Sequence, residues 1–376
     1  MSWLPELSSR NMSELPFSNR SSVLNLTNGS STSHCDHVDK SAHVCFLLVY
    51  TLMFLVGLLL NGFTLKVYFC GAQQPASSSV TVYMKNLAAA DFLISLCLPL
   101  RIANYASSSV AVRRLYCNFG ASAFYLNMYA SILFMGFIAA NRYLKIVHPI
   151  GTHVLQTVRA AYIISTATWV FLLATMSTYV TLSLVTQQPL SSVPVDVSCE
   201  VLHSHQLKMF YRFIHACSAA IFLLVLVSLV YFYYSTSRRL ALALQRQPAS
   251  SGSKKLAKSR KNMLVLVGVF CVCFVPYHLV RLPYTFLKGC SLSQAFFYLK
   301  ELTVMVSVLN VCLDPLIYFI FCKAFRAQLS PRRLCSTRQA TTGGANAERS
   351  SDGRMSTIKI NRKTSLTTTT KQTGVL

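Results

Sequence analysis

Seven stretches of this chain stay apolar for the ~20 residues a helix needs to cross the hydrocarbon core of a bilayer. They cover residues 44–69, 80–104, 117–146, 160–185, 210–234, 263–287 and 295–322. Inside hydrocarbon every backbone N–H and C=O must find a partner within the protein, so runs of this length are read as helices. The expected fold is an all-α membrane protein, a bundle of seven transmembrane helices. Composition agrees. Only 12% of residues are charged, and 53% are hydrophobic. Soluble domains carry about 25% charged residues. The net charge is nevertheless +24. A nucleic-acid-binding role is set aside, because the basic runs lie between apolar spans and the apolar fraction is too high.

The flanks of the spans give orientation. Residues 238–261 hold eight Lys or Arg and no acid, and the tail after Cys322 is basic, with only Glu348 and Asp352 against it. The positive-inside rule places both in the cytoplasm, so the N-terminus is expected outside. Residues 1–42 fit an extracellular segment: they carry four glycosylation sequons, at Asn11, Asn19, Asn25 and Asn28. No apolar segment of signal-peptide type precedes them, so the first span is expected to act as its own insertion signal. Residues 336–376 are rich in Ser, Thr, Gly and Lys, and read as a disordered cytoplasmic tail.

Most of the thirteen cysteines lie inside spans, where a thiol is a small apolar filler. Cys35, Cys117, Cys199 and Cys290 sit where an oxidising exterior reaches them. Cys117–Cys199 and Cys35–Cys290 fit this map. Spacing alone does not choose among the three connectivities, and Cys45 competes with Cys35. Cys335 follows the basic stretch 323–334 on the cytoplasmic side and is a candidate for palmitoylation.

Ionisable groups within a span are costly and point to function. Asp91 and Asp314 lie mid-span, with Asn61, Asn127, Ser131 and Asn310 at comparable depth. Two carboxylates among oxygen ligands can hold a sodium ion at Asp91; a hydrogen-bond network that satisfies itself is the alternative. No other cofactor or metal is expected. Pro276 and Pro315 interrupt spans six and seven and mark bends or hinges.

Taken jointly, Asn61, NLAAAD at 86–91, NRY at 141–143, Trp169, FVPYH at 274–278 and DPLIY at 314–318 resemble the rhodopsin-like G-protein-coupled receptors over residues 43–335. FYLNMYASILF at 124–134, RYLKIVHP at 142–149, PYHLVRLPYTF at 276–286 and YLKELTVMVSVLNVCLDPLIYFIFCKAFR at 298–326 are similar to the purinergic receptors for ADP and UDP-sugars. Their orphan and lysophosphatidylserine-receptor relatives share much of this pattern. The resemblance implies a plasma-membrane receptor with a seven-helix domain at 43–323 and an amphipathic eighth helix at 324–335. It implies coupling to inhibitory heterotrimeric G proteins, with arrestin and receptor kinases as further partners. It also favours both cysteine pairings above.

A charge pattern bears on the ligand. His278 and Arg281, three apart near the outer end of span six, share a face, and Tyr284 continues it. Lys300 lies near the outer end of span seven and Arg101 at the outer rim of span two. Lys208, Arg212 and His215 open span five, and Glu301 is the chief acid nearby. Singly, Arg101, Lys208 and Lys300 can snorkel to headgroups. Together these cations call for an anion, and the Arg fork suits phosphate. Tyr125 and Tyr129 on span three offer an aromatic wall. In the resembling family the positions matching Tyr125, His278, Arg281, Tyr284, Lys300 and Glu301 line the agonist pocket. The expected ligand is a nucleotide or nucleotide sugar. A lysophospholipid, or no ligand at all in a constitutively active receptor, are the alternatives.

On the cytoplasmic side the resemblance assigns Arg142 to the G-protein switch, with Tyr143, Tyr231 and Tyr318 rearranging around it. Asn141 departs from the family's Asp or Glu, which weakens the expected resting latch. Phe274 stands where the wider family has Trp, and span five lacks its usual proline. No zinc-protease motif, nucleophile motif or Gly-rich phosphate loop supports an enzyme. No internal repeat supports a transporter.

Overall fold

The structure is a computed structural model that describes residues 40–70, 78–107, 109–147, 153–187, 199, 202–246, 251–286, 293–321 and 325–326. Among these residues there are seven helices long and apolar enough to cross a membrane. They are α1 (Lys40–Cys70), α2 (Ser79–Ala106), α3 (Val110–Val147), α4 (Val158–Val185), α5 (His205–Arg246), α6 (Ser251–Phe286) and α7, in two segments, Ser293–Val308 and Asn310–Phe321. Hydropathy reports only the part of a helix in contact with lipid. That is why α5 and α6 run well past the apolar stretches into the basic segments beyond them, and why α3 begins before Cys117. The sequons at Asn11, Asn19, Asn25 and Asn28, the pair Cys35–Cys290, Cys335 and the side chain of Tyr284 lie outside the described residues. So does the expected eighth helix at 324–335, apart from Phe325 and Arg326, which are helical.

Large apolar side chains face outward, among them Leu59, Leu224 and Leu279, each more than two-thirds exposed. Lipid is the solvent for this face, so polar groups turn inward. Asn61, Asp91, Ser131, Asn310 and Asp314 are buried to within 1%. α3 is the most enclosed span and α1 and α4 the least. Polar caps set two helix starts. Ser78 Oγ accepts from Thr81 N at 3.3 Å ahead of α2, and Thr157 Oγ1 accepts from Ala160 N at 3.2 Å ahead of α4. Trp169 Nε1 donates to Asn86 Oδ1 at 2.9 Å and ties α4 to α2.

Pro315 has no N–H, so the carbonyl four residues back, on Val311, loses its ladder partner. Asn61 Nδ2 supplies the missing donor at 2.9 Å, from α1. α1 can come this close because Gly57 carries no side chain. A Cβ there would overlap Val311 Cγ1 and lie 2.7 Å from Ser95 Oγ of α2. Gly57→Val should therefore overpack a three-helix junction. We expect a loss of about 1–3 kcal/mol, read as a lower thermal midpoint of the detergent-solubilised chain; Gly268→Val, where nothing lies within 4 Å, should change it far less.

Candidate functional site

The half of the bundle where α3 and α5 begin holds a cavity of about 990 Å³, at the upper end of ligand-pocket sizes. Arg101 anchors one side. Its Nη2 donates to Glu301 Oε2 at 2.7 Å and its Nη1 to Tyr116 OH at 2.7 Å. The guanidinium also lies over the Tyr50 ring at 4.8 Å and the Phe124 ring at 5.5 Å. Tyr105 OH makes a short bond to the same carboxylate oxygen, and Lys300 Nζ pairs with Glu301 Oε1 at 3.0 Å. One carboxylate thus joins α2 to α7 and faces two cations.

The opposite side is built on α3, α5 and α6. His215 Nδ1–H donates to Tyr211 O at 2.9 Å, which leaves Nε2 to accept from Arg281 Nε at 3.4 Å. The Arg281 guanidinium lies 5.5 Å from the Tyr211 ring centre and 5.9 Å from that of Tyr125. Tyr179 OH bonds His203 Nε2 at 2.9 Å, just below the disulfide Cys117–Cys199. Among the described lining residues Arg101, Arg113, Arg281 and Lys300 stand against the single carboxylate of Glu301.

The cavity brings together Arg101, Tyr125, Tyr129, Arg281, Lys300 and Glu301 from the sequence-derived set. His278 does not line it. Its Nδ1–H donates to Phe274 O at 2.8 Å, its Nε2 accepts from Tyr129 OH at 3.0 Å, and its ring stacks on Phe222 at 3.7 Å. Both nitrogens are spent on helix contacts, so the imidazole acts through Tyr129. Arg212 is exposed and stands outside the cavity, as does Lys208. The inward stripe of α5 is Tyr211, His215 and Ser218, about 100° round the helix from Arg212. Of the three cations named on span five, His215 lines the cavity and Lys208 and Arg212 do not; the helical spacing of Tyr211, His215 and Ser218 marks the inward face. Tyr50, Tyr105 and Tyr116 were also missed, although Tyr105 follows Arg101 by one turn.

Deeper in, Asp91 accepts from Tyr318 OH at 2.6 Å, Ser131 Oγ at 3.2 Å and Asn310 Nδ2 at 3.3 Å. These bonds link α2, α3 and α7. The carboxyl of Asp314 lies against Asp91, and both its oxygens are buried without a hydrogen-bond donor, as are Asn127 Oδ1 and Asn310 Oδ1. Two adjoining buried carboxyl groups stay charged together only if a cation stands between them; otherwise the pair holds a proton.

Residues 60–318 match the family model described as 7 transmembrane receptor (rhodopsin family). The chain is a rhodopsin-family seven-transmembrane receptor. It is 35% identical over 290 residues to purinoceptor 14 of Bos taurus, covering 75% of this chain and 83% of that protein. G-protein coupled receptor 87 of Mus musculus is 32% identical over 314 residues, 82% of this chain and 85% of its own. Purinoceptor 13 of Homo sapiens is 30% identical over 329 residues, 85% and 89%. The receptor is accordingly a multi-pass plasma-membrane protein with a small-molecule ligand and a G protein as partners, and not an enzyme.

At the end of the bundle away from the cavity Asn141 Nδ2 donates to Ser79 Oγ at 2.8 Å and to Leu155 O at 3.4 Å. It ties α3 to the start of α2 rather than holding its neighbour. The Arg142 guanidinium instead lies over the Phe321 ring of α7 at 4.8 Å. Tyr143 OH meets Tyr231 OH at 3.4 Å and Ser235 Oγ at 3.3 Å. Tyr318 is withdrawn into the Asp91 network.

His203 lies outside the spans. Burial, with the charges of Lys208 and Arg281 behind it, lowers its pKa to about 4. An unfolded histidine titrates near 6.5. Between these values the unfolded chain binds a proton that the folded receptor refuses, so stability falls as pH drops from about 6.5 to about 4. Thermal midpoints measured across this range should fall less in His203→Gln than in the parent receptor.

Proposed function

We propose that the receptor responds to an extracellular anion bearing phosphate, a nucleotide or nucleotide sugar, seated in the outer cavity. The observation that carries this reading is the convergence of Arg101, Arg113, Arg281 and Lys300 on one cavity, with Glu301 among its described lining. Tyr125 and Tyr211 beside Arg281 supply π faces for a base. The similarity to purinoceptors supports the same ligand class. Glu301 gives the response a direction: an arriving phosphate competes with it for Arg101 and Lys300, and so loosens the bond between α2 and α7. A lysophospholipid is the second reading, favoured by the apolar wall that the cavity presents between α4 and α5.

The basic segments 238–261 and the basic tail after Cys322 support a cytoplasmic side there and an N-terminus outside, and the similarity to purinoceptors supports a G protein of the inhibitory class, with arrestin and receptor kinases as further partners. The buried oxygens of Asp314, Asn127 and Asn310 near Asp91 suit a sodium ion. Those residues would hold it, and it would balance the two carboxyl charges.

Inhibition of cAMP formation in cells challenged with nucleotides, UDP-sugars and lysophospholipids tests the reading. A charged hydrogen bond contributes about 1.5–3 kcal/mol. Arg281→Ala/Lys300→Ala should therefore lower the potency of the active phosphate-bearing class by roughly 100-fold or more at equal surface expression. A potency unchanged in the double variant would refute the anion pocket. Asn141→Asp tests the switch. A carboxylate beside Arg142 offers the charge-assisted bond that the amide lacks, so ligand-free signalling should fall. Unchanged basal signalling would show that Asn141 does not weaken the latch.

A further inference from the structure

His203 stands in the cavity wall just ahead of α5. The chain is pinned at this point. Ser204 Oγ donates to Thr186 Oγ1 at 2.9 Å, at the end of α4, and accepts from Leu207 N at 3.1 Å, in the first turn of α5. The imidazole is only 7% exposed. Its ring meets Tyr179 of α4 at 6.0 Å and Tyr211 of α5 at 5.4 Å. The same Tyr211 ring lies 5.5 Å from the Arg281 guanidinium, so His203 borders the cationic side of the cavity.

The hydrogen bonds around this ring suit either protonation state. The Tyr179 hydroxyl has one proton and two acceptors in reach, His203 Nε2 at 2.9 Å and Cys117 O at 3.4 Å. A neutral imidazole takes that proton at Nε2. A charged one donates Nε2–H to the Tyr179 oxygen and releases the hydroxyl proton to Cys117 O. Nδ1 is buried with no hydrogen-bond partner among the described residues, so it binds the ring to neither form. Charge therefore decides. Lys208 and His215 of α5 and Arg281 of α6 all act on the ring as cations, while Tyr179 and Tyr211 face it as neutral groups. Burial first, and these cations after it, hold the pKa down at about 4. A dianion beside Arg281 reverses the sign of that field.

We propose that His203 is a further anion-binding residue of the cavity, which takes up a proton together with the ligand and so makes the response depend on the pH outside the cell. This rests on the anion reading above. With the ligand's charge set against Lys208 and Arg281, His203 titrates higher in the complex than in the free receptor. Between the two values binding carries a proton in, so affinity rises as pH falls through that window. A single proton limits the rise to about tenfold for each pH unit.

Sulfate is the probe, because it stays a dianion where a phosphate monoester gains a proton, at about pH 6. Thermal midpoints of the full-length, detergent-solubilised receptor are compared in sulfate and in chloride at equal ionic strength, from about pH 7.5 to about pH 5.5, across the ordinary histidine range. Binding raises the midpoint by mass action, and the difference between the two salts at each pH removes the acid sensitivity of folding itself. The sulfate increment is expected to grow as pH falls in the parent receptor and to be independent of pH in His203→Gln. An increment that does not grow in the parent overturns the proposal without recourse to any variant. One that grows equally in His203→Gln also overturns it, and places the proton on another group of the site such as His215. Arg281→Ala separates the two readings. An increment lost in that variant but constant with pH in the parent leaves the anion pocket standing without His203. An increment that Arg281→Ala keeps in full at every pH sinks the anion reading, and this proposal with it.

Discussion

A polar atom in hydrocarbon must be bonded to something, and this receptor is organised around that demand. Pro315 removes one donor from α7, and Asn61 of α1 replaces it on the Val311 carbonyl. The replacement needs α1 to lie close, which Gly57 permits. Asp91 cannot be left bare in the interior, and three donors from α3 and α7 converge on it. These polar contacts between helices answer backbone or side-chain groups that lipid would not satisfy. The resulting centre is joined by hydrogen bonds that can be exchanged, which suits a protein that must pass between two arrangements.

The outer cavity follows the same logic with charge. Arg101 is nearly enclosed by Tyr50, Tyr105, Tyr116 and Phe124, and its counter-charge comes from a different helix. Removing water strengthens this pairing but leaves the cavity with more cations than carboxylates among its described lining. That surplus and the bond between α2 and α7 are coupled, because Glu301 serves both. On the proposed reading a bound phosphate would compete for the Glu301 contact between the two spans; α7 itself runs on past Asn310 and Asp314 to Phe321, where Arg142 rests.

Much of this was legible in the sequence, for physical reasons. Seven long apolar runs give the fold directly, because only helices of that length satisfy their backbone in lipid. Asp91, Ser131 and Asn310 were legible as members of one network, since polar residues at equal depth have only each other to bond; Tyr318, read as part of the switch around Arg142, was not legible as their partner. Side-chain direction was harder. Arg212 and Lys208 lie outside the cavity because their charge gave no clue to which stripe of α5 faces in, whereas Tyr211 and His215 carry the stripe. His278 shares a helix with Arg281 at the expected spacing, yet its ring is taken up by Phe274, Tyr129 and Phe222. The aromatic enclosure of Arg101 depends on four side chains from three helices, and no local pattern announces such a convergence.

Binding of one ligand with and without its phosphate, to purified full-length receptor in nanodiscs, tests the central claim most directly. The account predicts that the phosphate strengthens binding by roughly tenfold or more, the effect of about one charged hydrogen bond, that the advantage shrinks as salt is raised, and that Arg281→Ala abolishes it. Equal affinity for the two forms, insensitive to salt, would contradict the claim that the outer cavity is built to receive an anion.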